Sequence, residues 1–380
     1  MRKEVKMESG KNGNLGKLVA FFLIVALLAG AVALSASGWQ GDELMKPDSG
    51  DTAGGDNPPS GEADENTDGN DEQTTVPPVE EPEKLVYYSY LTGLEISEDE
   101  SLIKPLCIVF DTEAPMYGIS TSLLSVEIPI EGGSTRLLAF TNSATELGKL
   151  GSIAPTRGYI DLFASHFGGI PLYCGSDGNI SALSDREALS YVDLSEYSGY
   201  HYTEYDRYSY TNDDLLGAYI KNNGVSTVKT DTPTLPFIHT ASSELTDGRS
   251  ASTALIRYDV GKTTELIYSA ETDCYRIKKN SEAVIDRLNG TALEYKNAFI
   301  LLADATTYET EASTELVLDT GKGGKGYYLN GGRAIEITWQ TGTDGNLEFR
   351  NADGELINVD CGTTYISITR SSQRDEIKFF

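Results

Sequence analysis

The feature that most constrains this chain is the run at residues 18–34, LVAFFLIVALLAGAVAL, seventeen residues without a charge. A helix crosses a bilayer core with roughly 17–25 such residues. Arg2, Lys3, Lys6, Lys11 and Lys17 precede the run and acids follow it. The positive-inside rule then makes residues 1–17 a cytoplasmic stub, residues 18–36 a single-pass anchor in the cell membrane, and everything beyond extracytoplasmic. The competing reading is a cleaved signal segment, for which Ala33-Leu34-Ser35 and Ser35-Ala36-Ser37 offer small residues. Leu28-Ala29-Gly30 is lipoprotein-like, but Ala31 stands where a lipidated Cys would follow.

Residues 37–84 are dominated by Asp, Glu, Gly, Asn, Thr and Pro. Such a stretch buries too little apolar surface to offset its ordering entropy, so it is expected to be a disordered acidic linker. A flexible chain of this length averages about 40 Å end to end, with a ceiling near ~150 Å. The net charge of -28 is unevenly spread: +3 over residues 1–39, -12 over 40–84 and -19 over the rest. So acidic a body repels phosphate backbones, which argues against a nucleic-acid partner.

The fold therefore has to come from residue 85 onward. Strand and helix signals alternate over residues 85–240. Residues 105–110 form a short apolar run, as a buried strand would. Residues 126–130 and 136–140 bracket Glu131-Gly132-Gly133 like two strands around a turn. Residues 158–167 have aromatic residues at helical spacing, and 170–174 is another apolar run. Asn212 caps a helix with Leu215, Leu216, Tyr219 and Ile220 on one face, ended by Asn223-Gly224. Residues 252–380 change character. Short β-prone segments at 254–258, 265–269, 274–278, 299–302, 315–318, 334–339 and 364–368 are separated by turn formers, including the glycines of 321–326. Only 281–288 reads as a helix there. The expected fold class is α+β: an N-terminal α/β domain at 85–240, then a smaller mostly-β domain at 252–380.

Several motifs in this body resemble the YerB-like family of Gram-positive envelope lipoproteins, a domain of unknown function. Tyr90-Leu91-Thr92-Gly93-Leu94 is similar to its opening NPLTGL. The stretch from Val126-Glu127 through Ile130-Glu131-Gly132-Gly133-Ser134-Thr135-Arg136 is similar to its VYE-x-x-VEGG-x-TR signature. Leu147-Gly148 to Arg157-Gly158-Tyr159 follows the run IGPVRSARPY, with Ala154 in place of the first arginine and Arg157 keeping the second. Asn330-Gly331-Gly332-Arg333 to Trp339, Asp353-Gly354-Glu355-Leu356 and Gly362-Thr363-Thr364-Tyr365-Ile366 complete the likeness. The family's APHN motif falls on Ser209-Tyr210-Thr211-Asn212, which keeps the Asn and loses the Pro and His. The resemblance implies an N-terminal α/β part and a smaller C-terminal part, and no activity.

The candidate ligand-binding residues are Glu131, Arg136, Arg157, Tyr205 and Asn212. Glu131 precedes two glycines that allow a close backbone approach, and arginine's planar fork suits carboxylate or phosphate. A Glu–Arg ion pair bracing the turn is the structural alternative, and an N-cap is the plain role of Asn212. Tyr191, Tyr197, Tyr200, Tyr202, Tyr205, Tyr208 and Tyr210, interleaved with Glu204 and Asp206, could stack on sugar rings or simply pack. His166, His201 and His239 lack ligand spacing, so no metal is expected. No Gly-x-Ser-x-Gly elbow occurs. Gly321-Lys322-Gly323-Gly324-Lys325-Gly326 is followed by Tyr327 where a phosphate loop needs its Lys-Ser or Lys-Thr pair, and no cofactor is expected. Cys107, Cys174, Cys274 and Cys361 allow three pairings, Cys274 with Cys361 being one. Two functions compete. One is a membrane-anchored envelope module binding a cell-wall glycan, peptide or protein. The other is a hydrolase or transferase on a wall polymer, with Glu131 as acid or base and Arg136 and Arg157 holding an anionic group. Binding is the favoured reading.

Overall fold

Strand β1 (Leu106–Asp111) is buried from Leu106 to Phe110, with Leu106, Ile108 and Phe110 in one apolar cluster and Cys107 and Val109 in another. An unbroken apolar run is what a strand covered on both faces requires. Strands β2 (Leu124–Pro129) and β3 (Thr135–Thr141) pair antiparallel around the turn Glu131–Gly133, and β3 pairs antiparallel with β1. Beyond β1 the sheet continues through β4 (Lys149–Ile153) and β5 (Tyr208–Asn212) to Tyr202–Glu204. Helix α1 (Gly158–His166) covers one face with Ile160, Phe163 and Ala164. Helix α2 (Asp213–Asn222) sends Leu216 and Tyr219 into the cluster on the other. The structure, a computed structural model, describes residues 85–142, 147–176, 190–205, 207–309 and 314–380. The expected anchor at 18–36 and the linker at 37–84 lie outside the described residues, as does Asp206. Among the described residues no helix is long and apolar enough to cross a membrane.

Strands β6 (Thr253–Asp259), β7 (Lys262–Ser269) and β8 (Cys274–Lys279) form an antiparallel meander. It is the centre of a six-stranded sheet with Lys378–Phe379 beside β6 and Glu282–Ala283 beside β8. Ala254, Ile256, Leu266 and Ile277 share one apolar cluster with Ile108, Leu137 and Ala139, so this sheet packs on the face opposite α1.

The remaining strands return to the first sheet. Strands β9 (Asn297–Glu309), β10 (Gly324–Asn330) and β11 (Arg333–Thr341) are antiparallel neighbours. Strand β12 (Thr364–Arg370) lies between β9 and β2 and runs parallel to both. The two stretches that differ in sequence character thus contribute to one fifteen-stranded sheet. The fold is a β-rich α+β arrangement.

Two local readings are corrected. Residues 281–288 are not a helix: Glu282–Ala283 is a strand and Ile285 bridges Ala292. Asn280 and Ser281 both take positive φ and reverse the chain, and buried Asp286 then accepts the backbone N–H of Gly118 at 3.0 Å and of Ser120 at 2.9 Å. The second correction concerns the glycines of 321–326, of which Gly324 and Gly326 belong to β10. A Cβ on Gly324 would meet the Leu302 carbonyl oxygen at 2.2 Å, so glycine here serves strand contact. All four cysteines are free thiols, Cys274 and Cys361 included.

Candidate functional site

The structure brings together two of the five sequence candidates. Arg157 immediately precedes α1 and faces the turn between β2 and β3. Its Nε lies 3.2 Å from Glu131 Oε1 and its Nη2 2.9 Å from Oε2, a bidentate pair. Burial works against the charged carboxylate, but the hydrogen bonds and charge of Arg157 outweigh it and hold Glu131 below its ordinary range. A carboxylate so held braces turn to helix and is a poor proton donor. Arg136 does not join it. It lies opposite Asp111 across β3 and β1, with Nη1 3.4 Å from Asp111 Oδ2.

Tyr205 and Asn212 belong to another region, beside β4 and β5. The Asn212 side chain accepts the Leu215 N–H at 3.0 Å and so caps α2. Tyr205 is exposed, with φ of 54°. The Tyr117 hydroxyl beside it pushes its own hydroxyl upward in pKa. The tyrosine-rich segment packs largely on itself and its neighbours. Tyr197, Tyr200 and Tyr219 meet edge to face, and Tyr202 stacks on Tyr210. The ammonium of Lys149 rests 4.1 Å from the Tyr117 ring and 4.3 Å from the Tyr210 ring, with Glu204 at 2.6 Å.

A different feature has the form of a site. A cleft of about 580 Å³ opens between the β1–β3 end of the large sheet and the rim of the six-stranded sheet. One wall is Thr112–Met116 and Gly133–Thr135; the other includes Tyr258, Lys262, Lys279, Glu282 and Arg287. Gly133 has φ of 72°, and a Cβ there would fall 2.3 Å from Asp259 Cβ, so only glycine lets the turn approach the second sheet.

Beneath the cleft lining, behind Thr135 and Lys279, is a buried charge that sequence reasoning missed. Glu127, on β2, has no exposed surface. Its carboxylate accepts hydrogen bonds from Lys279 Nζ, from Thr135 Oγ1 at 2.8 Å, Thr264 Oγ1 at 3.0 Å and Tyr365 at 2.8 Å. Burial raises its pKa, but the charge of Lys279 and these donors prevail, and the group is held below the ordinary range. Burial, reinforced by the Glu127 charge, pushes the Tyr258 and Tyr365 hydroxyls well up. Higher in the cleft, Lys262 pairs with Glu113, whose carboxyl is lowered by hydrogen bonds from Lys262 and Ser134. The signal was present in Leu124-Ser125-Val126-Glu127-Ile128: a glutamate inside a strand buried on both faces must find partners. Thr135 comes from the hairpin partner β3, but the other partners come from β7, β8 and β12, which no local pattern joins to it.

Comparison with known families decides the relationship. The description Protein of unknown function (DUF3048) N-terminal domain matches residues 91–226, and its C-terminal domain matches residues 254–366. The chain belongs to this family. It is similar to the crystal structure of YerB protein from Bacillus subtilis, with a TM-score of 0.67 and 21% identity over 77% of this chain and 99% of that one. That likeness shows a shared fold. No curated protein matches the chain. In this DUF3048 member each matched portion supplies one wall of the cleft, and the Glu127–Lys279 pair ties the two together.

Proposed function

We propose that the chain is a membrane-anchored extracytoplasmic protein that binds a polar cell-wall component in the cleft between its two sheets. The cleft carries this reading. Its volume is that of a small-ligand site, and its lining combines hydroxyls, ammonium groups and carboxylates with apolar side chains such as Met116 and Val284. The apolar run at 18–34 and the acidic stretch after it support a tethered body held at a distance from the membrane. The clamped Glu131 favours binding over the hydrolytic alternative, because that alternative needs it as acid or base.

The test is retention of the full chain on purified wall sacculi, comparing the parent with Ala283→Trp. Ala283 is exposed on the cleft wall, so an indole there fills the opening without disturbing the core. Loss of retention with unchanged melting is expected. Equal retention of parent and variant would overturn the assignment of binding to this cleft.

A further inference from the structure

We infer that the cleft is an anion site, in which Lys262 and Lys279 hold one carboxylate or phosphate group of the ligand between them. The inference rests on the cleft being the binding site, and it names the chemistry the cleft selects.

The two lysines are placed by the six-stranded sheet. Lys279 on β8 lies directly opposite Thr264 on β7, and Lys262 is two residues before Thr264 on the same face. The lysines are therefore diagonal neighbours, with Cα atoms roughly 7–8 Å apart. Their ammonium groups are drawn to consecutive residues of the facing wall. Lys262 donates to Ser134 Oγ at 2.7 Å and Lys279 to Thr135 Oγ1 at 2.6 Å. Each also donates to a carboxylate, Glu113 and Glu127 respectively. An ammonium group has three hydrogens, so each lysine keeps one donor beyond these bonds. Each lysine's charge is already offset by its carboxylate, so a bridging anion is held through these remaining N–H donors and their charge-assisted hydrogen bonds. Arg287, exposed on the same lining, has no side-chain partner among the described residues and adds a third cation. Against the carboxylates of Glu113 and Glu282 on the same lining these three cations leave an excess of one positive charge, which in a chain of net charge -28 favours a single bound acidic group over indiscriminate attraction of polyanions.

The experiment is calorimetric titration of the full chain in nonionic detergent at low salt. The probes are a pentapeptide with a free C-terminal carboxylate, the same peptide amidated, and poly(glycerol phosphate). The free peptide or the phosphate polymer should bind, identifying which source supplies the anion, and the amidated peptide should bind at least about tenfold more weakly than a binding free peptide. Lys262→Gln and Arg287→Gln should each weaken binding of the acidic probe about fivefold, with no loss of melting temperature. Failure of both acidic probes to bind, or equal binding of the amidated and free peptides, overturns the inference. If Ala283→Trp abolishes sacculus retention while both charge variants retain normally, the cleft remains the site and the anion reading falls. If Ala283→Trp also retains normally, both readings fall.

Discussion

Replacing Lys279 by Met should expose the cost of the charge beneath the cleft. Glu127 is fully buried, and Lys279 is its one cationic partner among the described residues; its other donors are the hydroxyls of Thr135, Thr264 and Tyr365. Methionine keeps the length of the side chain and removes the charge. Stranding a buried carboxylate costs about 3–5 kcal/mol. At about 2 °C per kcal/mol for a body of this size, the melting temperature should fall by roughly 6–10 °C. The deficit should also depend on pH. In the parent, Glu127 has its pKa lowered by folding, so it contributes stability above the unfolded carboxyl value and loses it as pH falls through the folded value. In the variant, burial is no longer opposed by a cation, so folding raises the pKa of the carboxyl. The penalty is then absent below the unfolded value and grows as pH rises. Parent and variant should differ most near neutrality and converge in acid. Thermal melts between about pH 3.5 and 7.5 measure this, and the double variant Glu127→Gln with Lys279→Met should recover part of the loss. A deficit that is the same at both ends of that range would refute the assignment of the cost to the Glu127 charge.

Three further outcomes test the surrounding structure. Arg157→Gln should destabilise the body by about 1.5–3 kcal/mol, since it removes charge-assisted hydrogen bonds to partly buried Glu131; denaturant unfolding with an unchanged midpoint would show that the brace contributes nothing. Asn212→Ala should cost about 1 kcal/mol by uncapping α2, measured in the same way, whereas Asn212→Asp should retain most of the stability. A thiol reagent should find Cys107 silent in the native chain, where burial pushes its thiol well up, and four reactive thiols once the chain is unfolded; fewer than four would mean a disulfide.

Elements specified within a few residues were legible in the sequence. The apolar run in β1, the Glu131-Gly132-Gly133 turn and the Asn212 cap each declare themselves locally and appear where expected. Residues 281–288 misled because their apolar spacing fits a helix, whereas the chain reversal at Asn280 and Ser281 and the long-range bonds of Asp286 decide otherwise. The ion-pair alternative for Glu131 and Arg157 was also readable, since both stand in the quoted motifs. The cleft was not. The network beneath it joins Glu127 and Thr135 of one hairpin to Thr264, Lys279 and Tyr365, which reach them only when β12 and the six-stranded sheet close over β2. The odd glutamate in β2 announced a need for partners without naming them.

The position of β12 has a consequence for how the chain is made. Until residues 364–370 have left the ribosome, β2 and β9 each present an unpaired edge, because the strand that joins them follows both in the chain. A growing chain therefore carries the open edge of β2 from residue 129 until β12 emerges, joined by that of β9 from residue 309, and the β2 contact is far apart in sequence, which slows folding and invites self-association. A nonsense mutation that removes only the segment from Thr364 onward should accordingly leave an aggregating or degraded product rather than a shortened working one.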